Sequence, residues 1–162
     1  MSADYSEVRP QRKGIMNESI EYRNLEPGDY DEIIRVWEKA GLVHKQKGRD
    51  DRDHMAGEIS RSPDLCIGAF VKDKLIGTVI GSFDGRRGCV NRLATVPQYR
   101  HQRIAEKLVA ICEERLKKMG ALVIFCLIEK ENEPSLTLFN KRLGYHIHDG
   151  IVYLSKRDNW DV

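Results

Sequence analysis

The stretch of this chain that bears most directly on chemistry is RLATVPQYRHQRIAEKL, residues 92–108. An apolar, strand-like run closes at Pro97, a polar basic loop follows, and a helical apolar pattern opens near Arg103. The first turn of a helix leaves N–H groups without partners and carries the positive end of the macrodipole, so such a junction can hold an anion. Arg100, His101 and Arg103 bring formal or potential positive charge to the same place. A pyrophosphate would sit well there. A solvated basic turn that merely opens a helix would use the same residue types.

Other reactive side chains are less well placed. His146 and His148 alternate onto one face of a strand-like run, but two histidines without a third ligand make a poor zinc site, and no metal is expected. The four cysteines (Cys66, Cys89, Cys112 and Cys126) contain no C-x-x-C pair, and three sit among apolar neighbours, as buried thiols do. Free thiols in a reducing, cytoplasmic compartment are the expectation. The polar stretch 1–18 has no apolar core of the signal-peptide kind. No apolar run approaches the ~20 residues that span a bilayer, so no membrane partner is expected. Net charge is only +2, which argues against the broad basic face of a nucleic-acid binder.

These residues need elements to position them. Ile20–Leu25 reads as a strand, and Pro27-Gly28 turns it into an amphipathic helix carrying Ile33, Ile34 and Trp37 on one face. Asp29 and Glu32 form a D-x-x-E capping pattern at its start. A more polar helix over Asp51–Ser60 turns Met55 and Ile59 inward. Three strands follow over Leu65–Val71, Leu75–Phe83 and Gly88–Val96, joined by Lys72-Asp73-Lys74 and by the Asp84-Gly85 turn. Arg86 and Arg87 read as solvated hairpin residues. The helix over Arg103–Met119 ends in lysines and Gly120, as helix C-termini prefer. Val123–Ile128 reads as a strand buried on both faces. Pro134 opens a helix whose inward stripe is Leu136, Phe139, Asn140 and Leu143. Tyr145–His148 and Ile151–Leu154 read as two closing strands. The order β-α-α-β-β-β-α-β-α-β-β predicts a single α/β domain over 19–162, with a mixed central sheet of about seven strands and helices on both faces. Residues 1–18 are expected to be a mobile tail, and Trp160 a tail residue.

The chain resembles the GNAT superfamily of acyl-CoA-dependent N-acyltransferases over about residues 20–156. The family signature Q/R-x-x-G-x-G/A reads here Arg100-His101-Gln102-Arg103-Ile104-Ala105, after Val96-Pro97-Gln98-Tyr99. A second family segment looks like Asn132 through Tyr145, ending FNKRLGY. The opening strand, Pro-Gly-Asp turn and helix with Trp37 are also typical.

This resemblance implies an N-acetyltransferase that uses acetyl-CoA as cosubstrate and an amine acceptor: a protein N-terminus, a lysine or a small amine. It implies that the backbone of Leu93, Ala94 and Thr95 pairs with pantetheine. Arg100, His101, Gln102, Arg103, Ile104, Ala105 and Glu106 would then hold the pyrophosphate, with Asn132 among the cofactor contacts. The amine would attack the thioester directly in a ternary complex.

Three departures stand out. Arg103 replaces the usual glycine, so its side chain must point away or substitute for backbone contacts. Asn140 stands where the family's thiolate-protonating tyrosine falls, and an amide can donate a hydrogen bond but not act as a general acid. Glu129 is the nearest candidate base, through water, because neither cleft-lining strand carries a carboxylate in its apolar part. A catalytically degenerate CoA-binding regulatory module is the alternative. Acceptor choice is expected to rest on residues 39–63, and the assembly to be a monomer or homodimer.

Overall fold

The computed structural model describes residues 19–159; the expected tail at 1–18 and Trp160 lie outside them. The chain enters through β1 (Glu21–Asn24) and a 3-10 turn at Pro27–Asp29, which leads directly into α1 (Tyr30–Ala40). The capping pair is not Asp29 with Glu32. Because helical turning begins at Pro27, the box moves one turn back: the Asp29 carboxylate accepts from the Glu26 N–H at 2.8 Å, while Glu32 pairs with Arg35. α1 buries Tyr30, Ile33, Ile34, Val36 and Trp37 and stops at Gly41, whose φ of 76° is the left-handed geometry glycine tolerates best. Asp51 caps α2 (Arg52–Arg61) by accepting from the His54 N–H at 2.8 Å, and Met55 and Ile59 face inward as expected.

β2 (Cys66–Val71) and β3 (Lys74–Phe83) are joined by Lys72 and Asp73, both at positive φ, as a two-residue type I′ hairpin requires. Between β3 and β4 (Arg87–Thr95), Asp84 accepts the N–H groups of Arg86 and Arg87 at 2.9 and 2.7 Å. These bonds hold its exposed carboxyl down at about 2. Arg87 also pairs with Asp84, as solvated hairpin residues do. α3 (Ile104–Lys118) follows, then β5 (Val123–Phe125) and α4 (Glu133–Leu136), which continues as a π-helical stretch over Thr137–Arg142.

The sheet runs β1-β2-β3-β4-β5, antiparallel except for the parallel β4–β5 pair. Helices cover both faces. A Cβ at Gly81 would meet Cys112 of α3, whereas Thr78 bonds Trp37 of α1 from the other side.

Five strands stand where about seven were expected. Residues 145–148 and 151–154 form no strand, and Ile151, Val152, Tyr153 and Leu154 are exposed by 64–85%. Likewise the run 123–128 is a strand for only three residues, with Val123 and Leu127 exposed rather than buried on both faces. Apolar alternation supplies only a propensity. A strand also needs a ladder partner, and the outer edge of β5 has none among the described residues.

Candidate functional site

The site is built around an irregularity in β4. Register runs Thr78↔Ala94 and then Ile80↔Asn91, so Val79 alone faces both Arg92 and Leu93. Arg92 has φ of 51°, and the extra residue bends β4 as a bulge does. Thr78 fixes the bulge from below: its hydroxyl donates to the Arg92 carbonyl at 3.0 Å and accepts from the Trp37 indole N–H at 3.0 Å. The Arg92 guanidinium lies over the Trp37 ring, donates to the Val43 carbonyl at 2.9 Å and pairs with Asp50 at 2.5 Å. Asp50 is buried and also accepts the Lys45 N–H, so the loop 42–51 is tied to the bulge.

Beyond the bulge, β4 and β5 part. They pair only at Arg87↔Val123, Gly88↔Ile124 and Cys89↔Phe125. From Val90 onward, no strand among the described residues pairs with that edge of β4. The expected pantetheine residues Leu93, Ala94 and Thr95 therefore have main-chain groups free on one side, as an extended amide-bearing ligand requires. The Thr95 hydroxyl is buried there with no hydrogen-bond partner. A buried polar atom without a partner is costly, and a ligand amide would satisfy it.

The expected phosphate residues lie at the start of α3. No side chain caps this helix, so the N–H groups of Ile104, Ala105 and Glu106 are open in its first turn. Arg103 has φ of 60° and His101 64°, so both take up left-handed backbone geometry. Arg103 thus takes up a backbone conformation that glycine favours, with its side chain 90% exposed. It makes a long, 3.9 Å ion pair with Glu106, whose other oxygen pairs with Arg142 at 3.5 Å. His101 and Gln102 are exposed. Arg100 is engaged with the C-terminal carbonyl of α1 at Ala40, 3.1 Å away, which anchors the loop.

The other expected residues are more scattered. Asn132 caps α4, its side chain accepting from the Ser135 N–H at 3.2 Å. Glu129 is exposed just after β5. Asn140 lies in the π-helical stretch and donates from Nδ2 to the Tyr145 carbonyl at 2.8 Å. Tyr145 packs edge-on against Phe139 and donates to Glu113 at 2.8 Å. Burial and then the Glu113 carboxylate push its phenol pKa up strongly, so it is a poor proton donor. Sequence reading missed Arg92, Asp50 and Thr78, and Trp37 is the core residue it was read as, with its indole N–H bonded to Thr78. A lone arginine inside a strand-like run was the one available signal.

These parts follow one another as a bulged strand, a left-handed turn into an uncapped helix, and a parallel partner that parts from the strand. Residues 30–145 match the Acetyltransferase (GNAT) family. The chain belongs to the GNAT acetyltransferase family. It is by that membership an acyl-CoA-dependent N-acyltransferase. An acetyltransferase of Sodalis glossinidius is 28% identical over 138 residues, covering 85% of this GNAT chain and 95% of its own. One from Photorhabdus laumondii is 29% identical over the same shares. Among solved structures, a PaiA N-acetyltransferase from Thermoplasma acidophilum in complex with coenzyme A superposes with a TM-score of 0.73 at 24% identity, over 81% of this chain and 92% of that one. An aminoglycoside N-acetyltransferase in complex with CoA gives 0.67 at 16% identity, over 86% and 96%. At these identities the superpositions establish the GNAT fold.

Proposed function

We propose that this GNAT protein transfers an acetyl group from acetyl-CoA to a primary amine by direct attack in a ternary complex. The observation that carries the reading is the parting of β4 from β5, which leaves the edge of β4 at Leu93, Ala94 and Thr95 without a strand partner. Acetyl-CoA supplies an acyl group already activated as a thioester. The free edge at Leu93, Ala94 and Thr95 pairs with its pantetheine arm. The open N–H groups of Ile104, Ala105 and Glu106, continued by the turn at Arg100, His101, Gln102 and Arg103, hold the pyrophosphate. The exposed Arg103 guanidinium is free to swing onto a phosphate oxygen. Asn140 keeps a second amide hydrogen beyond the one given to Tyr145, and can hydrogen-bond but not protonate a departing thiolate. Glu129 and Asn132 follow β5 in the chain, ahead of α4. The loop 42–51, held to the bulge by Asp50 and Arg92, is the wall an acceptor meets. Four free thiols suit a reducing compartment, in keeping with a cytoplasmic enzyme.

A melting experiment tests the donor. At 100 times Kd, CoA stabilises by about 2.7 kcal/mol, or about 5–11 °C for a chain of this size. Thr95→Val should reduce that shift at equal concentration while leaving the free protein at least as stable, since it removes an unsatisfied hydroxyl. An unmoved melting curve at millimolar CoA would sink the reading.

A further inference from the structure

Eight of the ten large apolar side chains exposed among the described residues lie between positions 122 and 154. Three belong to β5 and its flanks: Leu122 at 88%, Val123 at 55% and Leu127 at 59%. The other five, Ile147, Ile151, Val152, Tyr153 and Leu154, are 55–85% exposed on one segment. Scattered exposed apolar residues need no explanation, but a concentration of this kind marks an interface.

The two edges of the sheet are built differently. β1 is four residues long and carries Glu21 and Arg23, the short, charged form in which an edge resists pairing. β5 lies at the other edge, within the run ALVIFCLI at 121–128, which has neither a charged residue nor a proline. The outer side of β5 meets no ladder partner among the described residues. The segment 146–154 is its counterpart. Ile151-Val152-Tyr153-Leu154 has the β-branched, aromatic and apolar residues that fit a pleated surface. Tyr145 fixes the base of this arm. Its N–H donates to the Phe139 carbonyl at 2.9 Å, its carbonyl accepts from Asn140 at 2.8 Å, and its hydroxyl donates to Glu113 at 2.8 Å. From His146 to Leu154 one main-chain bond remains among the described residues, from the Ile151 N–H to the His148 carbonyl at 3.4 Å.

One chain thus holds an open edge and a strand-forming arm and leaves them unjoined. A foreign strand would cover the edge but leave the arm in water. A second copy covers both, because each copy in a twofold pair offers what the other lacks. We propose that residues 146–154 of one copy pair along the free edge of β5 in a second copy, and reciprocally, in a homodimer made by arm exchange. Main-chain bonds supply the ladder, and the apolar side chains of arm and edge lie against one another. Eight side chains per copy offer on the order of 10³ Å² of surface, against the about 800 Å² per partner of a standard interface. A net charge of only +2 sets little repulsion between copies.

The test uses the full chain. Sedimentation velocity over about 1–100 μM should show a wild-type dimer that dissociates on dilution or holds throughout. An arm variant, Val152→Lys with Leu154→Lys, and an edge variant, Val123→Lys with Leu127→Lys, should each weaken association ~100-fold or more. All four side chains are exposed in the single chain, so both variants should keep the wild-type circular dichroism. Mixed in equal amounts, the two variants should associate about tenfold more tightly than either alone, because the edge variant's intact arm still fits the arm variant's intact edge. A wild-type chain that stays monomeric at about 100 μM would overturn the proposal; slow hydrogen exchange at 151–154 would then place the arm on its own β5. A dimer that survives the arm substitutions overturns it too, as does a mixture no tighter than its components, which would mean that arm packs on arm. Should the edge variant misfold, hydrogen exchange decides in its place. The β5 amides that do not bond β4 must be protected in the wild-type dimer and exposed in the arm variant, and equal exchange in both overturns the proposal.

Discussion

Asp50 offers the most exacting test of how the loop 42–51 is held to the bulge. Its side chain is almost fully buried, at 3% exposure for the residue, and it receives the Lys45 N–H at 2.7 Å and the Arg92 guanidinium at 2.5 Å. Asp50→Ala leaves the Lys45 N–H without its acceptor and leaves the Arg92 side chain, 20% exposed, with only the Val43 carbonyl and the Trp37 ring. Breaking a buried pair from one side costs about 3–5 kcal/mol, and the partial exposure of Arg92 lets water offset some of it, so about 3 kcal/mol is expected. For a chain of 162 residues this lowers the melting temperature by about 6–12 °C. Replacing both partners, as Asp50→Leu with Arg92→Met, should recover part of the loss, because no charge is then left buried alone. The Thr78 bond to the Arg92 carbonyl is untouched by Asp50→Ala, so the bulge persists and CoA affinity should hold while KM for the amine rises. Urea unfolding followed by circular dichroism gives the stability, and calorimetry the CoA affinity. A loss below about 1 kcal/mol would show the pair to be worth no more than a surface contact and refute the reasoning.

Arg103→Gly should stabilise the free chain by about 1 kcal/mol, because the backbone already sits at φ of 60° and a Cβ there is a cost. CoA affinity should not fall more than about tenfold, since the backbone cradle is kept and only a side-chain charge is lost; a larger fall, by calorimetry, would make the guanidinium the principal phosphate contact. Gly81→Ala would bring a Cβ to 2.7 Å from the Cys112 sulfur, and overpacking of this kind costs about 1–3 kcal/mol in urea unfolding. Adding Cys112→Ala should relieve that strain, and a double variant no more stable than Gly81→Ala would place the clash elsewhere.

Much of the frame was legible in residue patterns, and the reasons are local. Pro27-Gly28 and Asp51 mark where α1 and α2 begin, because helix starts depend on a few neighbouring residues, whereas the stop at Gly41 emerged from the structure. The same holds for the Lys72-Asp73 hairpin and for the strand–loop–helix junction that opens α3. The expected phosphate and pantetheine residues fall together for that reason: they are consecutive in the chain. Asn132 was placed by resemblance alone, whereas Asn140 was also read on an inward helical stripe and Glu129 at a strand end. The structure gives Asn132 a capping bond and Asn140 a bond to Tyr145, roles that spacing did not reveal.

What the sequence by itself determined is therefore the order of elements as far as the helix that Pro134 opens, the signature junction and the family those imply. The tertiary structure decided what depends on partners remote in the chain. Strand formation is one such property: 151–154 has the apolar residues of a strand, but β5 ends at Phe125 and no ladder takes the segment up. The bulge at Arg92 is another, visible only once Val79 is seen facing two residues of β4. The network of Trp37, Thr78, Arg92 and Asp50 joins positions up to 55 residues apart, and the unpartnered state of the Thr95 hydroxyl is defined by everything packed around it. Hydrogen-bond satisfaction and desolvation are sums over neighbours in space, so no reading along one chain could assign them.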